Sequence, residues 1–317
     1  MKRRYFTIPL LLLVIGFIIF VQSASKRIVS PNRAKLRDAQ QAILAEPETH
    51  GMKILSDTAT DGTPYLLCEG LHVTGKKGRI LRTQLSKRGC HPTREHPVLL
   101  LLHGHASRKE NQLAIAERFC AAGFTCLIPD LPGHGKHPEK IGTFGKTEVP
   151  LLLNLVKEAR KEHHLSDKVS LFGLSQGGAV ALQLAAADEQ QFHAVVTIST
   201  FANLSKTLSQ TAENKSPVLG ALFPIVKLNI GWRHDFDLKK ISPAQAAKTL
   251  SLPVFIAHGL DDTFIPPANA EIIFNNLSHP SKRLRLVPEA GHANVLAKGE
   301  LIYADLCEFL LEATSDS

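Results

Sequence analysis

The spacing of apolar residues along the chain predicts most of its elements. Val98-Leu99-Leu100-Leu101-Leu102 is an unbroken apolar run that ends in His103-Gly104. Such runs suit strands buried on both faces of a parallel sheet. Residues 111–122 then space their apolar side chains as one face of a helix, stopped by Gly123. The alternation continues with strand 125–129, helix 149–162, strand 168–172, helix 177–188 and strand 193–199. It resumes with strand 254–257, helix 268–276, strand 284–287 and a closing helix 296–312. Strands alternating with helices predict a doubly wound, mostly parallel α/β sheet. Ahead of it, residues 65–74 and 79–86 read as a hairpin turning at Gly75-Lys76-Lys77-Gly78. Residues 201–250 exceed a simple crossover between strands, and their apolar content reads as a small, mostly helical cap. Phe223 and Trp232 are its candidate substrate contacts. An ordinary set of packing helices is the alternative.

The N-terminus follows a different pattern. Lys2-Arg3-Arg4 precedes an apolar run over residues 5–21, broken only by Thr7, Pro9 and Gly16. This is the layout of a secretory signal peptide or a retained signal anchor, near the short limit of a membrane span. Small residues at 21–25 suit cleavage, but Lys26-Arg27 follow at once, and both readings stay open. Basic residues flank both ends, so charge decides orientation poorly. Either form places the body outside the cytoplasm: exported, membrane-anchored, or periplasmic or extracellular. The expected organisation is a signal or anchor at 1–25, a stalk at 26–60, and an α/β domain at 61–313 with the cap inserted at about 201–250.

Charge then loses its apparent meaning. The net charge is +8, but residues 1–37 hold eight of the 37 Lys and Arg and no Asp or Glu. The rest of the chain is neutral against its 29 acidic residues, which removes the case for nucleic acid. Five cysteines show no metal spacing; Cys120, Cys126 and Cys307 read as small core residues, and Cys68 and Cys90 as a pair open to oxidation. Arg108-Lys109 reads as a solvated helix start.

Polar residues gather where the apolar strands end. Val169-Ser170-Leu171-Phe172 runs into Gly173-Leu174-Ser175-Gln176-Gly177-Gly178, a strand, a Gly-x-Ser-x-Gly turn and a small-residue helix. The glycines make room for a strained serine, and the helix aims free N–H groups at it. His258-Gly259-Leu260-Asp261-Asp262 follows a later strand and Pro288-Glu289-Ala290-Gly291-His292 the last. Ligands in open parallel sheets bind beyond these strand ends. His103-Gly104-His105 lacks companions for a metal site, so neither metal nor cofactor is expected.

From about residue 65 to 309 the chain resembles the α/β-hydrolase family of serine hydrolases, within it the small membrane-anchored or exported esterase- and lipase-like members. The resemblance rests on Leu102-His103-Gly104, Asp130-Leu131-Pro132-Gly133-His134-Gly135, Gly173-Leu174-Ser175-Gln176-Gly177-Gly178, the stretch from Pro253 to Asp262, and Gly291-His292. Serine, acid and histidine in that order match the family. The resemblance implies Ser175 as nucleophile, His292 as base and Asp262 as the acid that orients it, with backbone N–H groups of His105 and Gln176 holding the oxyanion. Asp261 is then a loop residue. His103 and His258 are expected to bond loop backbone around the site, and His134 to be loop structure. The expected substrate is a small-molecule ester or thioester, or a lipid, with an apolar acyl group. A serine peptidase of the prolyl-oligopeptidase type and a non-catalytic, membrane-tethered binding protein are the alternatives.

Overall fold

Five consecutive residues with no polar side chain belong where both faces of a sheet are covered, and Val98–Leu102 lies there. Leu99 and Leu101 enter one core, and Val98, Leu100 and Leu102 enter another on the opposite face. The computed structural model describes residues 4–91 and 95–315, excepting the side chains of residues 4–10. Lys2 and Arg3 of the basic leader lie outside the described residues.

In chain order the elements are α1 (Arg4–Val29), α2 (Asp38–Ala45), β1 (Met52–Thr58), β2 (Pro64–Gly70), α3 (Lys76–Ser86), β3 (Val98–Leu102) and α4 (Leu113–Ala121). Next come β4 (Thr125–Pro129), α5 (Glu148–Glu162), β5 (Val169–Leu174), α6 (Gln176–Ala187) and β6 (Val195–Ile198). The cap follows as α7 (Leu204–Lys215), α8 (Pro217–His234) and α9 (Pro243–Ala247). The chain closes with β7 (Val254–Gly259), α10 (Ala268–Asn276), β8 (Arg283–Val287), α11 (Val295–Lys298) and α12 (Ile302–Thr314). Among the described residues eight strands form one sheet in the order β1-β2-β4-β3-β5-β6-β7-β8. From β4 through β8 neighbours are parallel; β1 and β2 are antiparallel additions at one edge.

The first antiparallel pair corrects the expected hairpin. β2 pairs with β1 upstream, turning through Ala59–Thr63, and residues 76–86 are helical. Gly78, Leu81 and Leu85 are its buried residues, a helical spacing that outweighs the β-branched and aliphatic content taken for a strand. The sheet therefore starts at Met52, inside the stretch expected as stalk. The expected closing helix is broken at Gly299 and Leu301, the latter at φ 56°. All five cysteines are free: Cys68 is buried in the sheet, while Cys90 stands against Glu308.

Residues 21–37 also have an unexpected place. Val21, Ser25 and Val29, four apart and so on one face of α1, are buried, and α1 packs along α8. Asn229 Nδ2 donates to Ser25 Oγ at 2.8 Å, and the Gly142 N–H donates to the Val29 carbonyl at 2.7 Å. Arg33 then donates to the carbonyls of Gly135, His137 and Glu139 at 3.1, 2.8 and 3.2 Å. Val29 joins Phe201, Leu204, Phe223, Val226 and Ile230 in a third core, under the cap.

Candidate active site

The turn between β5 and α6 is built on close backbone approach. Ser175 has φ 51° and ψ −112°, a conformation that costs a non-glycine residue strain. A Cβ on Gly173 would meet the Gly177–Gly178 backbone, and one on Gly177 would meet the Leu102 carbonyl of β3. Only glycine at both positions lets helix and strands close around the serine.

Ser175 Oγ lies 3.1 Å from His292 Nε2, and His292 Nδ1 lies 2.8 Å from Asp262 Oδ2. The three come from the ends of β5, β7 and β8. The Asp262 carboxylate is buried, and burial alone would raise its pKa. Hydrogen bonds from His258, His292 and the Ile265 N–H outweigh that and hold it well below the usual carboxylate range. Its Oδ1 accepts from the N–H groups of Phe264 and Ile265 at 3.0 and 2.8 Å. Asp261 is exposed and does not reach His292. His258 Nε2 sits 2.8 Å from the Ile265 carbonyl and 3.3 Å from Asp262 Oδ2. Its contact with the acid was not foreseen; its position four residues before Asp262, in His-Gly-Leu-Asp-Asp, is the signal that carried it.

The other side of Ser175 is the loop after β3. A Cβ on Gly104 would come 3.6 Å from the Ser175 Cβ, so this loop runs beside Ser175. Gln176, first in α6, has no intrahelical acceptor for its N–H. The His105 ring bonds the Ile28 carbonyl of α1 at 2.9 Å and stacks on Phe144 with centroids 5.7 Å apart. Glu148 holds that Phe144 loop by accepting from the N–H groups of Thr143, Phe144 and Gly145 and from the Thr143 hydroxyl. Beneath lie His103, whose Nε2 accepts from the Leu131 N–H at 3.1 Å, and His134, whose Nδ1 bonds the Pro132 carbonyl at 2.8 Å. Burial lowers the His103 and His134 imidazoles, His134 to about 3. Lys109 is buried, not solvated as its charge suggested. Its Nζ and N–H each lie 2.8 Å from Asp130, tying the loops after β3 and β4 together.

Ser175 and His292 open into a cavity of about 840 Å³. Its cap wall is α7, with Leu204, Thr207 and Leu208, and not the expected aromatics. Phe223 is buried in the cap core, and Trp232 faces outward, 81% exposed. Arg27, Ile28 and Arg37, from the segment expected as stalk, complete the lining. No local motif marks that role.

Comparison with known proteins bears on this arrangement. The family profile described as serine aminopeptidase, S33, matches residues 93–246. A monoacylglycerol lipase of Mycolicibacterium smegmatis is 24% identical over 230 residues, 62% of this chain and 80% of the relative. An esterase of Pyrococcus furiosus superposes with TM-score 0.64 at 18% identity, over 90% of this chain and all of that one. The chain has the α/β-hydrolase fold. Among proteins of that fold it is also similar to a membrane phospholipase A, a bacterial virulence factor, with TM-score 0.59 at 16% identity over the full length of both chains. The motif residues at the ends of β3, β5, β7 and β8 line or support one cavity, where ligands of open parallel sheets bind.

Proposed function

We propose that this protein is a serine hydrolase that cleaves an ester or thioester with an apolar acyl group through an acyl-enzyme. The observation that carries the reading is the hydrogen-bonded run Asp262–His292–Ser175 at the edge of a largely apolar cavity. His292 Nε2 takes the hydroxyl proton as Ser175 Oγ attacks the acyl carbon. Asp262 fixes the tautomer with Nδ1–H toward itself and stabilises the imidazolium that forms. The N–H groups of His105 and Gln176 receive the oxyanion, at the positive end of α6. Collapse of the tetrahedral intermediate expels the alcohol or thiol with the proton from His292. Water then repeats the sequence and releases the acid. No step calls for a cofactor.

A peptidase is the second reading, favoured by the description of the matched profile. An aminopeptidase needs a carboxylate to hold the substrate's ammonium group. Among the described residues the cavity is lined by Arg27, Arg37, Arg118 and Lys215 and by no Asp or Glu. That charge suits an acyl or anionic substrate better. A non-catalytic binder would have no use for a strained serine bonded to a histidine.

Helix α1 is read as a retained anchor with the body outside the cytoplasm. Residues 11–29 have mean hydropathy 1.8, and most of that stretch is exposed. Its last turns are part of the cap core, which a cleaved leader would not be. The test of the chemistry is labelling by a fluorophosphonate probe beside turnover of p-nitrophenyl esters of graded chain length and of peptide amides. Ser175→Ala should abolish labelling and ester turnover without unfolding. Labelling at another serine, or faster cleavage of the amides, would overturn the assignment.

A further inference from the structure

Helix α8 is apolar on both sides. Phe223, Val226 and Ile230 face the cap core. Val218, Ile225, Leu228 and Trp232 form a stripe on the opposite face, 65, 41, 73 and 81% exposed. Ala221 and Pro224, also exposed, fill the same side. A helix that buries one apolar face and presents another to water is unusual, and a continuous exposed apolar patch marks a contact.

What covers this face follows from its neighbour. α8 packs against the last turns of α1, whose preceding residues Leu11–Phe20 expose apolar side chains; Leu11–Val29 as a whole has the length and composition of a membrane span. The two exposed apolar faces thus belong to adjacent helices. α8 contains Lys227, Arg233 and His234 and no carboxylate, and Lys26 and Arg27 end α1. An apolar face ending in tryptophan, with basic residues beside it, is the composition of a helix lying in a lipid interface. Arg27 and Lys215, both exposed, also line the cavity that holds Ser175. This part of the cavity rim therefore lies beside the end of α1 and the α7–α8 junction.

We propose that the outer face of α8 lies in the surface of an anionic bilayer beside the anchor α1, so that the cap forms a second membrane contact and the cavity receives its substrate from the lipid surface. This rests on reading α1 as an anchor and is independent of the chemistry assigned to Ser175. The basic flanks gain from anionic headgroups, and the apolar stripe from the acyl boundary.

Trp232 is the only tryptophan in the chain and reports directly. The full-length protein is incorporated into vesicles of phosphatidylethanolamine and phosphatidylglycerol in equal parts. Tryptophan emission is measured with acrylamide and with lipids spin-labelled near the headgroup. The expected result is blue-shifted emission, quenched by the labelled lipid and shielded from acrylamide. The companion variant is Ile225→Asp with Leu228→Asp, both surface positions. It should lose about tenfold in hydrolysis of a long-chain monoacylglycerol in those vesicles while retaining turnover of soluble p-nitrophenyl acetate. Trp232 left in water in vesicle-bound protein would overturn the proposal alone. So would shielding without lipid quenching together with cross-linking of two copies through α8, or an equal loss on both substrates. Protein that fails to float with the vesicles would bring down the anchor reading as well. Absence of fluorophosphonate labelling would instead remove the serine chemistry and leave the emission result standing.

Discussion

Ser175 and Leu208 line the same cavity, yet they are held there by opposite means. Ser175 is fixed by backbone: a positive φ, two glycines in contact with neighbouring main chain, and strand ends in register. Leu208 is held by side-chain packing, α7 against the adjoining α8 and α8 against the distant α1. The difference separates two demands on a hydrolase. Reacting groups must sit within tenths of an ångström, which rigid strand ends provide. An acyl pocket needs volume and low polarity, which many side-chain combinations provide.

The largest effect should come from the backbone-fixed side. Asp262→Asn removes the carboxylate oxygen 2.8 Å from His292 Nδ1, which on the proposed mechanism sets the tautomer. In serine proteases the equivalent change lowers kcat about 10⁴-fold, and a loss of similar order is expected here. Asp261→Asn, on an exposed residue one position earlier, should stay within about threefold. Both kcat values are read on one p-nitrophenyl ester, with circular dichroism to exclude unfolding. A larger loss at Asp261 would reverse the assignment.

The packing-held side breaks differently. Removing residues 1–20 takes from the described side chains only Leu11–Phe20, which are exposed, and should leave soluble-ester turnover within about twofold. Removing residues 1–30 also takes Ser25, Ile28 and Val29, which opens the cavity wall, uncovers the cap core and deprives His105 of the Ile28 carbonyl. That truncation should lower kcat/KM for long-chain esters by about tenfold or more and lower the melting temperature. Equal behaviour of the two truncations would show that α1 is a tether alone.

These two regions also differ in how far the sequence revealed them. β3 through β7 are buried, mostly apolar runs, β8 alternates arginine with apolar residues, and polar turns follow them, so these strands and the Ser175, Asp262 and His292 positions could be read locally. The cap wall could not, because α7 and α1 are chosen by packing and carry no motif. Edge strand β1 alternates weakly, with Lys53, Ser56 and Asp57 half out of the core, and so passed for stalk. Trp232 was misplaced by the same logic: its size suggested a pocket, and nothing in its spacing told an inner apolar face from an outer one on a helix apolar all round.

The buried histidines make the site side sensitive to acid. His103 and His134 are kept neutral by burial, both with pKa values below 6.5 and His134 at about 3. In the unfolded chain each titrates near 6.5 and gains a proton first. Where the unfolded state binds more protons, stability falls as pH falls. The contribution is therefore full above 6.5 and is lost progressively down toward 3. pH 5 lies about 1.5 below the ordinary histidine value, so His134 alone should cost about 2 kcal/mol there relative to pH 8. Thermal melts from pH 8 to 5 test this, and His134→Gln should flatten the decline. An unchanged slope in that variant would assign the acid sensitivity elsewhere.

The smallest effects come from one substitution placed in each region. Gly177→Ala puts a Cβ into the Leu102 and His103 carbonyls, which belong to the central strand and the loop beside Ser175. Neither can yield without moving the strand or the nucleophile. Overpacking of this kind costs about 1–3 kcal/mol, and the displaced serine should lower activity as well. Gly231→Ala sits in α8, where the nearest atom to the new Cβ is the Phe236 carbonyl at 3.6 Å, an ordinary contact. A helical glycine replaced by alanine gains about 0.5–1 kcal/mol, because the unfolded chain loses freedom and the helix gains propensity. The same added methyl group should therefore lower the melting temperature at the elbow and raise it in the cap. Differential scanning calorimetry of the two variants decides the point, because a backbone-fixed site and a packing-held cap require opposite signs.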